Sequence, residues 1–121
     1  MKISETAKAD KTIETLLDLN GERYYLDNGY WVKLEAYKVK PTKHVPYGIR
    51  YSLTLHDRKN NRILGYDNAH QVKKPIKHKF RGRRIIWDHK HREQNISPYE
   101  YESAGQLMED FWKEVLEITN D

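Results

Sequence analysis

Gly48-Ile49-Arg50-Tyr51-Ser52-Leu53-Thr54-Leu55-His56-Asp57 is the stretch that decides the fold. Ile49, Tyr51, Leu53 and Leu55 alternate with Arg50, Ser52, Thr54 and His56, the two-residue period of a strand with one buried and one polar face. Upstream, Tyr30, Val32, Leu34 and Ala36 repeat that pattern against Lys33, Glu35 and Tyr37. Downstream, Arg58-Lys59-Asn60-Asn61 turns the chain into a short strand from Arg62 to Tyr66. Glu22 to Leu26 precedes Asp27-Asn28-Gly29, and Asn-Gly between two aromatic runs signals a hairpin whose two turn positions take positive φ. Pro41 and Pro46 make residues 39–47 a loop. The implied sheet is antiparallel, with Lys33, Arg50, Ser52, Thr54 and His56 on its polar face.

The remaining segments complete an α+β fold: an antiparallel sheet of about five strands, a short N-terminal helix, and a C-terminal amphipathic helix packed on one face. Ile13, Leu16 and Leu17 predict the first helix over residues 10–19, closed by Asn20-Gly21. Residues 1–9 read as a flexible tail, leaving one domain over 10–119. Residues 71–82 contain Pro75 and Gly82 and read as a loop; Arg84 to Arg92 reads as a strand with Ile85-Ile86-Trp87 buried. Ser103 and Gln106 fit a capping box. Behind it Ala104, Leu107, Met108, Phe111, Trp112, Val115 and Ile118 recur at helical spacing, with Glu109, Asp110, Lys113, Glu114 and Glu117 on the expected solvent face.

A chain of 121 residues suits one domain, and the lack of cysteine excludes disulfides, thiolate metal sites and a cysteine nucleophile. Met1 to Thr6 shows no apolar run and no stretch approaches a membrane span, so a cytoplasmic protein with no membrane partner is expected. The net charge of +4 hides a strong asymmetry. Residues 1–70 carry a net +3, residues 71–92 carry nine basic groups against Asp88 alone, and residues 93–121 carry a net −7. The middle segment, net +8, calls for a polyanion. Phe80, His78 and the guanidinium planes of Arg81, Arg83 and Arg84 suit stacking on unpaired bases, which favours RNA.

Asp88-His89-Lys90-His91-Arg92 is the densest polar cluster. On a strand His89 and His91 share one face, while Asp88, Lys90 and Arg92 share the other. Two imidazoles at this spacing suit two metal ligands, with His70 or His56 as a third. They also suit metal-free RNA cleavage by the 2′-hydroxyl, which needs a base, an acid and a cation at the phosphate. The metal-free reading is the one taken, with no metal and no cofactor expected. It places His89, His91 and His70 as catalytic candidates. Arg50, Arg84, Lys90, Arg92, Lys73, Lys74 and Lys77 are the RNA and phosphate contacts. Asp67-Asn68-Ala69-His70 and His56-Asp57, at strand ends, read equally well as turns; Tyr51 and Tyr99 are weaker proton-transfer candidates. No phosphate-binding glycine loop or nucleophile elbow is present in the sequence.

Several ordered segments together resemble the TumE family of type II toxin–antitoxin toxins. They are Gly29 to Lys33, His44 to Asp57, Ile63 to His70, Asp88 to Arg92, and Asp110-Phe111-Trp112. The likeness runs over roughly residues 20–117, and the lysine-rich connection from Val72 to Arg83 departs from it. The resemblance implies a prokaryotic cytoplasmic toxin, silenced by a helix-turn-helix antitoxin. The polar positions it carries over are Arg50, His56, Asp57, Asp67, Asn68, His70, Asp88, His89, His91 and Arg92. The leading expectation is therefore a toxin acting on RNA as a metal-independent endoribonuclease. The alternative is a non-enzymatic nucleic-acid or protein-binding module.

Overall fold

Alternation along the central strand is realised in full, with Ile49, Tyr51, Leu53 and Leu55 buried and their neighbours half-buried. The computed structural model describes residues 10–43, 45–68, 72–73, 85–86, 88–92, 95–99 and 101–120, with the backbone alone at 72–73 and 85–86. In chain order the elements are α1 (Ile13–Asp18), β1 (Arg23–Tyr25), β2 (Trp31–Lys38), β3 (Ile49–His56), β4 (Arg62–Asp67), β5 (Val72–Lys73), β6 (Ile85–Ile86), β7 (His89–Arg92), β8 (Asn95–Pro98) and α2 (Ala104–Thr119). Six strands form one antiparallel sheet in the order β1-β2-β3-β4-β7-β8, one more than expected; β5 and β6 pair separately. The expected tail over residues 1–9 lies outside the described residues.

Two local expectations change. Gly29 has φ +86°, but Asn28 does not share the positive φ expected of it. Leu26 and Tyr30 close the hairpin, and the Gly29 amide donates to Leu26 O. This is a three-residue loop in which only the residue after the turn is left-handed. The strand expected from Arg84 to Arg92 is split. Ile85–Ile86 pairs with Val72–Lys73, and His89–Arg92 joins the large sheet. Asp88, between the two strands, accepts the Tyr51 hydroxyl through Oδ1 at 2.8 Å and the Tyr99 amide through its carbonyl oxygen at 3.1 Å.

Helix α2 lays Leu107, Phe111 and Val115 on the apolar face of the sheet, against Leu34, Leu53, Leu64 and Tyr66. Its N-terminus is held twice. Ser103 accepts from the Gln106 amide at 3.0 Å, as the capping box requires. The other orphan amides find partners upstream of α1: Ala104 N donates to Asp10 Oδ2 at 2.7 Å, and Gly105 N to Thr12 Oγ1 at 2.8 Å. Burial opposes ionisation of Asp10, yet the hydrogen bonds from Thr12 and Ala104 hold its pKa below the ordinary value. These contacts leave α1 only six residues long.

Glu114 corrects the expected solvent face of α2. It is only 8% exposed and accepts from Tyr66 Oη at 2.6 Å, Lys90 Nζ at 3.3 Å and Arg92 Nη1 at 3.0 Å. Position 114 lies three residues beyond Phe111 and seven beyond Leu107, so it belongs to the buried stripe despite its charge.

Candidate active site on the polar sheet face

Strand alternation sends every second side chain of β3, β4 and β7 to the face opposite α2. The register aligns them in two rows. Ser52 pairs with Asp67 and Asp67 with His89; Thr54 pairs with Gly65 and Gly65 with His91. Ser52, Thr54 and Gly65 are small, which leaves the larger groups to meet one another. Asp67 Oδ1 lies 3.0 Å from His89 Nε2, and Asp67 Oδ2 lies 3.3 Å from His91 Nε2. The two imidazoles meet edge to face, with ring centroids 4.8 Å apart.

Burial grades across this cluster. His89 is 0% exposed and Asp67 7%, whereas the His91 side chain keeps 12% of its surface. A carboxylate only accepts, so the His91 nitrogen facing Asp67 carries the hydrogen and Nδ1 is left as the basic atom. Burial pushes the His91 pKa below its ordinary value, and the positive charge of Arg62 adds to this against the pull of Asp67.

Arg62 reaches this face through a bulge. The register shifts between Leu55 and His56, so that Leu55 pairs with Leu64 but His56 pairs with Arg62. The extra residue re-aims Arg62, whose side chain runs across Gly65 within van der Waals distance of its Cα substituent position. Next to it His56 stacks on Trp31 with centroids 4.1 Å apart, and Tyr25 and Arg23 flank the indole. Burial, with Arg62 and Lys33, lowers the pKa of His56 as well.

Of the residues singled out in the sequence, His89 and His91 come together and Arg50 shares their face. The Arg50 guanidinium donates to Asn68 O. Lys90 and Arg92 lie on the opposite face, bound to Glu114. His70, Lys74, Lys77 and Arg84 lie outside the described residues, as do His78, Phe80, Arg81 and Arg83, and only the backbone of Lys73 is described. Several other candidates have structural partners. Asp57 Oδ1 accepts the Lys59 and Asn61 amides, both at 2.9 Å, in a turn where Asn60 has φ +66°. Asn68 extends the ladder by bonding Tyr51 N and Ile49 O. Burial raises the pKa of Tyr51 and Tyr99, whose hydroxyls donate to Asp88 and Asp110. The sequence did not point to Arg62, and it offered Asp67 only as one of the polar positions the family resemblance carries over, in a segment that read equally well as a turn. The signal for Asp67 was the parity of two strands that each end in a polar run.

The class this defines is a small α+β protein with one helix-covered sheet face and one polar face built around a carboxylate and two imidazoles. The chain matches the family model described as Toxin TumE over residues 3–119, and it belongs to that toxin family. No curated protein and no solved structure matches it. Among the described residues, no helix is long and apolar enough to cross a membrane.

Proposed function

We propose that the protein is the toxin of a type II toxin–antitoxin pair, acting in the cytoplasm on RNA as a metal-independent endoribonuclease centred on His91. One observation carries this reading. Asp67 and His89 are direct cross-strand partners, and the most basic part of the chain lies between them in sequence. Its flanking residues, Asp67 and His89, both belong to the cluster, and the segment's net charge favours a polyanion as the substrate.

In this reading Asp67 positions His91 by holding Nε2–H, while the buried His89 braces the carboxylate from the other side. Neutral His91 takes the 2′-hydroxyl proton at Nδ1, and the 2′-oxygen attacks the adjacent phosphorus. The bond from phosphorus to O5′ breaks, leaving a 2′,3′-cyclic phosphate and a 5′-hydroxyl whose proton comes from the imidazolium or water. Arg62, whose side chain lies over Gly65 opposite His91, supplies the positive charge where phosphate charge develops, with Arg50 farther along the same face. Lys90 and Arg92, on the other face, are not needed for this step. A helix-turn-helix antitoxin that covers the polar face would silence it.

Purified protein incubated with labelled single-stranded RNA in EDTA tests the reading. Cleavage to cyclic-phosphate ends, reduced by roughly 10²–10⁴ in His91→Ala, is the expected result. Salt-dependent binding with no products would instead identify a non-enzymatic module. Products unchanged in His91→Ala would remove the catalytic assignment.

A further inference from the structure

Asp67, His89 and His91 bring two imidazole nitrogens and a carboxylate together on adjacent strands, with one ligand atom from each residue lying within 4.8 Å of the others. We infer that these three side chains form a binding site for a divalent first-row transition-metal ion, with Zn2+ as its working probe. Three arguments support the site. The donor set is the borderline one that suits zinc, nickel or iron rather than calcium or magnesium. Bonds of about 2.0–2.2 Å place neighbouring donors roughly 2.8–3.6 Å apart, depending on coordination geometry. The separations of 3.0 Å between Asp67 Oδ1 and His89 Nε2 and 3.3 Å between Asp67 Oδ2 and His91 Nε2 fall in that interval. The full set, one ligand atom per residue, spans up to 4.8 Å, so a bound ion would draw the three side chains closer together.

The third argument is rigidity. Asp67 and His89 sit opposite each other in a paired β ladder, and His91 is two residues along the same strand. The backbone positions are thus set by the sheet before any ion arrives, and all three groups are largely buried. A preset donor cluster loses little conformational freedom on binding.

Occupancy by an ion has a chemical consequence. An ion on His91 Nε2 displaces the hydrogen that Asp67 holds, and a neutral imidazole ligand then carries its hydrogen on Nδ1. That nitrogen can no longer accept the 2′-hydroxyl proton, so the metal-bound protein is inactive. Binding depends on the cluster alone; the inhibition rests on the reading of His91 as a base.

The test uses the full chain, stripped with chelator and titrated with ZnCl2 by calorimetry, with bound metal counted by elemental analysis. The expected result is one Zn2+ per chain, lost in Asp67→Asn and in His91→Gln and kept in His56→Gln, whose imidazole lies on the same face. Because Asp67 is buried, the partly exposed His91→Gln and the thermal midpoint of each variant guard against a folding defect. Zinc should raise the midpoint of the parent and not of His91→Gln. Absence of saturable binding to the parent, or equal affinity in all variants, overturns the site. RNA cleavage followed alongside should fall as the site fills and return with EDTA. Cleavage that rises with zinc keeps the metal site and refutes His91 as the metal-free base; cleavage unchanged at full occupancy refutes the inhibition.

Discussion

Glu114 and Asp67 are carboxylates of similar burial on opposite sides of the same strand pair, β4 and β7, and they are neutralised by different chemistry. On the helix side, Tyr66, Lys90 and Arg92 surround Glu114 with a phenol and two cations. On the polar side, two imidazoles surround Asp67. Residues 66 and 67, like 89 to 92, alternate between the two clusters, so one ladder serves both. The first cluster fastens α2 to the sheet. The second holds groups that can exchange a proton or bind an ion.

Separating the clusters by mutation is the way to break this comparison. The largest expected effect belongs to His91→Ala, which should lower RNA cleavage by roughly 10²–10⁴ with little change in thermal midpoint. If the midpoint collapses with activity, His91 is structural and the contrast fails. Glu114→Ala should do the reverse. It leaves the buried Tyr66 hydroxyl without its acceptor while Lys90 and Arg92 keep access to water, and should cost about 1–3 kcal/mol in denaturant unfolding. Cleavage per folded molecule should remain near the parent value.

Acid titration sharpens the same contrast. Burial opposes ionisation of Glu114, but the Tyr66 hydrogen bond and the charges of Lys90 and Arg92 win and hold its pKa below the ordinary 4.5. A depressed folded-state pKa means the stabilisation is fully present above the unfolded value and lost as pH falls through the folded one. The parent should therefore lose stability below pH 4.5, and Glu114→Gln should show a shallower acid decline. An identical pH dependence in both would remove Glu114 from the account. The smallest effect is Ser103→Ala, about 1 kcal/mol in the same unfolding assay, because Asp10 and Thr12 still cap the neighbouring amides. A loss of several kcal/mol would show that Ser103 holds the helix start alone.

The fold was largely legible because its decisive signals are local. Alternation at Ile49 to His56 and the stripe through Leu107, Phe111 and Val115 each follow from one element's own period. The candidate site was only half legible. His89 and His91 announce themselves by spacing, but Asp67 joins them through pairing across 22 positions, which no local pattern reveals. Arg62 was invisible because a single bulged residue inverts its face. Glu114 was misread for the opposite reason: its helical position marked it as buried, and its charge argued otherwise until the three donors on β4 and β7 were placed.

The central claim is that the polar face works and the helix face holds. Its most direct test is the rate of cleavage of labelled single-stranded RNA in EDTA by His91→Gln and Glu114→Gln, at a temperature where circular dichroism shows both folded. The account predicts loss of cleavage by His91→Gln, at least 100-fold on the scale of acid–base catalysis, and a near-parent rate for Glu114→Gln. Equal rates for the two variants, or the larger loss in Glu114→Gln, would contradict it.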